Sequence, residues 1–284
     1  MNQEQDQQLS VTTEDGVILK LCLHLLLLFR DDVHLSKRKI FIDILDEHNT
    51  LTGNKYRWTT NPKTGKLKRL KNGINSYIQP RDWLPEAKDT VWFLTYHAGE
   101  QASDASDIEV HTCLAGWGAV SLSIIHAQFP VDQFDGQSSG LPELAQKWCA
   151  MLQPEHGYGG FRLAESHGYE DSEGAFHCRL LSQRFWGLDI GHALLHDDLT
   201  RSIKGVDWLT ILSTPFVDQL GGEATVRQAM GALPVLSYPG GLILQTGTMP
   251  QVGDMQRQED MSAYFQVAKI VEPIRCKDHK GGYC

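Results

Sequence analysis

Between Val17 and Phe29 the chain runs almost free of polar side chains, and this stretch limits the fold more than any other. Wound as a helix, its 13 residues would rise about 20 Å, well short of the hydrocarbon thickness of a bilayer. Lys20 and His24 also interrupt it. A segment this apolar that cannot span a membrane has to be buried in a protein core, as a strand pair or a core helix. Its richness in Leu and Val favours a strand from Gly16 to Phe29. No other stretch reads as a membrane segment.

With 284 residues, 41% of them hydrophobic and 21% charged, the chain can bury a substantial core as one large domain or two modest ones. Met1 to Gln8 lack the basic flank that precedes a secretory leader. Cys22, Cys113, Cys149, Cys178, Cys276 and Cys284 are scattered, which suits reduced thiols and a cytoplasmic location. Cys276, His279 and Cys284 do not have the spacing of a zinc clip, so no metal or cofactor is expected.

Charge is unevenly distributed. From Asn49 to Arg81 there is no acid, but eight cations: Lys55, Arg57, Lys63, Lys66, Lys68, Arg69, Lys71 and Arg81. The other 18 of the 26 basic residues face all 35 acidic ones, a net −17. Such a body repels nucleic acid and attracts a basic protein surface.

Asp31 and Asp32 suit the opening of a helix reaching about Asn49, with Val33, Ile40, Phe41, Ile44 and Leu45 at helical spacing. Asn61, Pro62 and Gly65 make the basic segment an exposed hairpin or loop. Strands are expected at 91–96, 108–114 and 119–126, the last two turning at Gly116 and Gly118, and a helix at 141–152. Gly157-Tyr158-Gly159-Gly160-Phe161 reads as a turn entering a short strand. A helix follows over 173–185 with Phe176, Leu180 and Leu181 on one side, then a buried strand over 205–213. Next come a helix broken at Gly221-Gly222, a hairpin turning at Pro239-Gly240-Gly241 and a closing helix over 262–271. This order, without a strict βαβ rhythm, predicts an α+β fold, a largely antiparallel sheet with helices on one face. Its halves, residues 1–154 and 155–284, are of similar build and form either two units or one continuous domain.

Five segments of the second half occur in a telling order. They are Gly157 to Phe161, Arg184-Phe185-Trp186-Gly187-Leu188-Asp189, Lys204 to Thr210, Gly240 to Gly247, and Pro250-Gln251-Val252-Gly253-Asp254. Together they resemble the type VI secretion immunity proteins that neutralise VRR-Nuc nuclease toxins. The resemblance implies a cytoplasmic, non-enzymatic antitoxin that forms a one-to-one complex with a type VI nuclease effector. Binding would cover the effector's DNA-binding face or active site, with no nucleic acid or membrane involved.

Candidate toxin contacts are Glu170, Asp171, Glu173, Asp189, Asp254, Glu259 and Asp260, placed in expected loops or helix starts, with Trp186 as an aromatic anchor. Trp208, between Val206 and Leu209, reads as core. Catalytic alternatives find little support. His177 and Cys178 are adjacent on a helix and point apart, and His97/Glu100 and Glu109/His111 fit strand alternation. The nucleic-acid alternative rests on residues 55–71, where Lys66, Lys68, Arg69 and Lys71 follow Tyr56 and Trp58. At physiological salt the chain is expected to leave a labelled duplex unretarded in a gel-shift assay. Salt-sensitive, sub-micromolar binding lost on neutralising Lys66, Lys68, Arg69 and Lys71 would reverse this reading.

Overall fold

Val11–Thr13 (β1) folds back antiparallel onto Gly16–Phe29 (β2), the long apolar strand. The structure is a computed structural model describing residues 9–14, 16–30, 36–60, 65–70, 92–114, 122–135, 140–167, 173–189 and 197–276. Helix α1 (Ser36–Leu51) leads to a short hairpin, β3 (Trp58–Thr60) and β4 (Leu67–Arg69). Three strands follow: β5 (Trp92–His97), β6 (Glu109–Leu114) and β7 (Ser123–Phe129). Then come α2 (Gly140–Leu152), β8 (His156–Glu165), α3 (Glu173–Arg184), β9 (Leu188–Asp189) and β10 (Leu209–Ser213). The chain continues through α4 (Thr214–Gln219), α5 (Glu223–Met230), β11 (Val235–Tyr238), β12 (Gly241–Gln245) and α6 (Ser262–Val271).

The twelve strands among the described residues join one sheet, ordered β11-β12-β10-β8-β2-β7-β6-β5-β3-β4, with β1 on β2 and β9 on β8. Every pairing is antiparallel except β8 with β9. The α+β class expected from sequence is therefore the observed one. β8, from the second half, lies beside β2 in register from Leu19↔Glu165 to Leu28↔His156, so the sheet continues across residue 154.

Helices cover both faces of this sheet, not the single face expected. The odd-numbered residues of β2, from Leu19 through Leu25 to Phe29, enter a core closed by α1, α2 and α3. Leu26 and Leu28 enter another core, closed by α4, α5 and α6. A strand buried on both sides needs apolar residues at nearly every position, and this explains the unbroken run. On α2, Leu141, Leu144, Ala145, Trp148, Cys149 and Leu152 form the buried stripe of a 3.6-residue repeat.

The segment read as a glycine turn, Gly157 to Phe161, is strand in the middle of the sheet. Glycine is needed there for close approach. A Cβ on Gly157 would lie 2.5 Å from the Leu26 carbonyl oxygen and 3.1 Å from Ile211 Cδ1. On α3, Cys178 is buried and Leu181 half-buried, whereas Leu180 is exposed; the Phe176 side chain lies outside the described residues. The Gly116/Gly118 turn, Asp31 and Asp32 also lie outside them. Replacing Gly157 with Ala should destabilise the fold by about 1–3 kcal/mol, because neither neighbouring strand can withdraw without breaking its ladder. A urea unfolding midpoint unchanged from the native chain would contradict this packing.

Candidate functional site

A stripe of polar side chains crosses the sheet face on which α4 to α6 pack. Register aligns His97 with Glu109, Glu109 with Gln128, His111 with His126, Gln128 with His24, and Cys22 with Arg162. Glu109 accepts a hydrogen bond from His167 Nε2 at 3.0 Å. Burial pushes its carboxyl upward, but the fields of His167, His97 and His111 outweigh this and hold it below the usual range.

The stripe ends in a charged centre. His24 Nε2 lies 2.7 Å from Asp207 Oδ2 and 3.6 Å from Asp189 Oδ2. Arg162 donates to Asp189 Oδ2 at 3.0 Å, and Lys204 pairs with Asp189 Oδ1. His24 faces Gly160 across the β2–β8 ladder. A Cβ on Gly160 would fall onto the Asp207 carboxylate, so glycine creates the space that this acid fills. Burial alone would raise Asp189, but Lys204, His24 and Arg162 keep it well below its ordinary value.

His24, Asp189 and Asp207 could each offer a metal ligand atom, all within 4.8 Å of one another. The surrounding charges do not suit an ion: Arg162 and Lys204 already neutralise Asp189, and a divalent cation would sit beside one buried and one half-buried cation. Nor does the centre contain an activated nucleophile. Burial pushes the neighbouring Cys22 thiol up, and the group donates to Gln128 Oε1 and the Arg162 carbonyl. Its chemistry is that of a charge-compensated internal brace.

At the end of α3, a second arrangement reaches the surface. Arg184 grips Asp254 with a two-pronged contact, Nε to Oδ1 at 2.9 Å and Nη2 to Oδ2 at 2.6 Å. These bonds outweigh partial desolvation and hold the Asp254 carboxyl below its usual range. The Trp186 and Gly187 amides donate to the Gly253 and Val252 carbonyls at 3.0 and 2.9 Å. A Cβ on Gly187 would collide with the Gln251 carbonyl at 2.0 Å, and one on Gly253, at φ +69°, would lie 2.8 Å from the Gly187 nitrogen. The clamp presents Trp186, 44% exposed, edge-on to Phe265, 47% exposed, with ring centroids 5.8 Å apart.

Residues 41–282 match the family described as type VI immunity for VRR-NUC. The chain belongs to that immunity family. A solved structure of a Pseudomonas aeruginosa T6SS protein shares the fold, with a TM-score of 0.82 at 23% identity, covering 96% of this chain and 81% of that one. No curated protein matches the chain. Among the described residues no helix is long and apolar enough to cross a membrane. The segments that carried the family resemblance prove to be spatial neighbours. Arg184 to Asp189 pairs with Gln251 to Asp254 through the clamp, and Gly157 to Phe161 pairs with the strands at 209–213 and 188–189.

The acids proposed from sequence as contacts of the immunity protein separate sharply. Glu170 and Asp171 lie outside the described residues, and Glu173 is placed only as the first residue of α3. Asp189 and Asp254 are shielded counterions rather than surface acids, held by Lys204 with Arg162 and by Arg184. Glu259 is half-buried and accepts from the Asp254 amide at 3.0 Å. Asp260 is exposed and accepts from the Ser262 amide at the start of α6. Trp186 is at the surface, as expected of an anchor, and Trp208 is buried.

Other candidates are drawn inward. Tyr56 is buried, with its hydroxyl 2.6 Å from His48 Nδ1. Trp58 stacks on His97 and donates to the Gly99 carbonyl. Lys63, Lys71, Arg81, His279 and Cys284 lie outside the described residues, and Glu100 pairs with Arg57 rather than His97. Sequence reasoning missed Phe265. Its signal was available, since Tyr264, Val267 and Val271 form the buried stripe of α6 and Phe265 falls off it. The His24 centre left a fainter sign, a histidine within a run of leucines.

Burial lowers His48, His97 and His156 to about 4, lowers His111, and lowers His126 well below its ordinary value. Unfolding restores ordinary values of about 6.5, so the stability these neutral histidines confer is present above about pH 6.5 and lost toward pH 4. Burial also lowers His167, but Glu109 more than restores it, leaving it raised. Its contribution is present below about pH 6.5 and lost above, as pH rises through its folded value. The depressed Glu109 contributes above about pH 4.5 and loses that as pH falls through its folded value. Unfolding free energy should therefore fall on acidification from about pH 6.5 to 4 by more than about 1.4 kcal/mol per pH unit, the slope of one proton. A flat profile in urea titrations over this range would show that these histidines are not held neutral.

Proposed function

We propose that this chain is an antitoxin that binds a VRR-NUC nuclease effector one-to-one and denies it access to DNA without catalysing any reaction. The match to the immunity family over residues 41–282 carries this reading. A nuclease must present Lys and Arg to phosphates, and a body carrying net −17 outside one basic segment competes for that same surface. The histidines and carboxylates of the polar stripe support a non-catalytic role, because they are committed to one another inside the fold. DNA, the target of such an effector, lies in the cytoplasm, and there the antitoxin has to act.

Trp186 and Phe265 are the proposed anchors of the complex, with Glu259 and Asp260 at their rim. Exposed aromatics on a backbone that is already fixed lose little entropy on binding, and such residues commonly set complex lifetime. The native chain should suppress DNA cleavage by its cognate VRR-NUC domain at equimolar ratio. Trp186→Ala should weaken binding by at least tenfold, or about 1.4 kcal/mol, mainly through faster dissociation. An unchanged dissociation rate in surface plasmon resonance would remove Trp186 from the interface. Unimpeded cleavage with the native chain in excess would refute the antitoxin reading.

A further inference from the structure

The helices α1 and α2 lie against each other and leave a groove along their junction. It consists of two connected depressions, of about 640 and 430 Å³, which share Glu47, Leu51 and Lys147. Glu47 holds the two walls at fixed spacing. Its carboxylate accepts from Lys147 Nζ at 2.6 Å through one oxygen and from Trp148 Nε1 at 2.9 Å through the other.

The floor is apolar, with Leu51, Phe134, Leu144 and Met151, and the rim is acidic. Asp43, Asp46, Glu47 and Glu143 line it, and Lys147, already tied to Glu47, is the only cation among the described lining residues. Exposed Asp132 and Asp135 flank Phe134 at one end, where Gln133 donates to the Leu51 carbonyl. None of these acids was among the contacts proposed from sequence.

An apolar floor under an acidic rim suits long cationic side chains, whose methylene stems lie on carbon while their charged heads meet carboxylates. It repels anions, including nucleic acid. We infer that the α1–α2 groove receives a Lys- and Arg-bearing segment of the nuclease partner. This inference rests on the antitoxin reading and names the surface that draws the two proteins together. The groove stands on α1 and α2, and Trp186 directly follows α3, the three helices that close one core, while its neighbour Phe265 stands on α6. One partner can reach the groove and Trp186 if it spans those helices. Groove acids at a rim act chiefly on the association rate and its salt dependence, whereas the aromatic anchor acts on dissociation.

The experiment compares native full-length chain with the variant Asp43→Lys/Asp132→Lys/Asp135→Lys/Glu143→Lys. Association with the cognate VRR-NUC domain is measured by stopped flow at several salt concentrations. Glu47 is left intact because it joins the helices. The matching amide variant, Asp43→Asn/Asp132→Asn/Asp135→Asn/Glu143→Gln, controls for misfolding, and circular dichroism melts check both. The groove reading expects association at low salt to slow at least tenfold for the Lys variant and by an intermediate amount for the amide variant. It also expects a flatter salt dependence for both. Native rates and native salt dependence in both folded variants would overturn the groove while leaving the antitoxin reading intact. Failure of the native chain itself to bind the domain would overturn both.

Discussion

β2 is the strand on which everything else is registered. It is paired along its length with β7 and β8, which come from opposite halves of the sequence, and it is buried on both faces. A slip of one residue would turn every side chain over, placing His24 among the leucines of the α1–α3 core and a leucine against Asp207. Burying unpaired polar groups in that way costs several kcal/mol. One register therefore satisfies both the apolar cores and the polar stripe.

The charged centre reinforces that choice. Arg162, Asp189 and the pair Lys204 and Asp207 come from three separated parts of the chain and meet around His24. Buried charges of this kind add little net stability, since desolvation offsets most of their attraction. What they impose is a penalty on arrangements that leave one of them alone. The space for Asp207 exists only because Gly160 lacks a Cβ.

In the antitoxin role proposed for the chain, rigidity of the presenting surface matters as much as the contacts themselves, because order already present in the free protein is not lost on binding. The Arg184–Asp254 contact and the two back-to-back glycines fix the backbone beneath Trp186, and the bidentate Glu47 fixes the spacing of α1 and α2. Asp254 looks from sequence like a binding acid but fastens the backbone beneath Trp186, and Glu47 ties α1 to α2 in the same manner. Asp254 and Glu47 act as fasteners, and the exposed acids Asp260 and Asp43 stand beside them.

By itself the sequence determined which segments are apolar and with what period. That was enough for β2, for the helices at 36–51 and 140–152, for the hairpin at 235–245 and for the α+β class. These depend on local burial, which leaves its pattern within a few consecutive turns. The ordered segments of the second half likewise pointed to the immunity family. Only the tertiary structure decided the rest. Gly157 to Phe161 has the composition of a turn, and its place as central strand depends on how closely β2 and β10 approach it. Asp189 and Asp254 differ from Asp260 in burial and in the cations beside them, Arg162, Lys204 and Arg184, which arrive from elsewhere in the chain. The acidic groove depends on α1 and α2 lying side by side although about ninety residues separate them. Charge and burial across such distances are set by sheet register and helix packing, which no single stretch of sequence records.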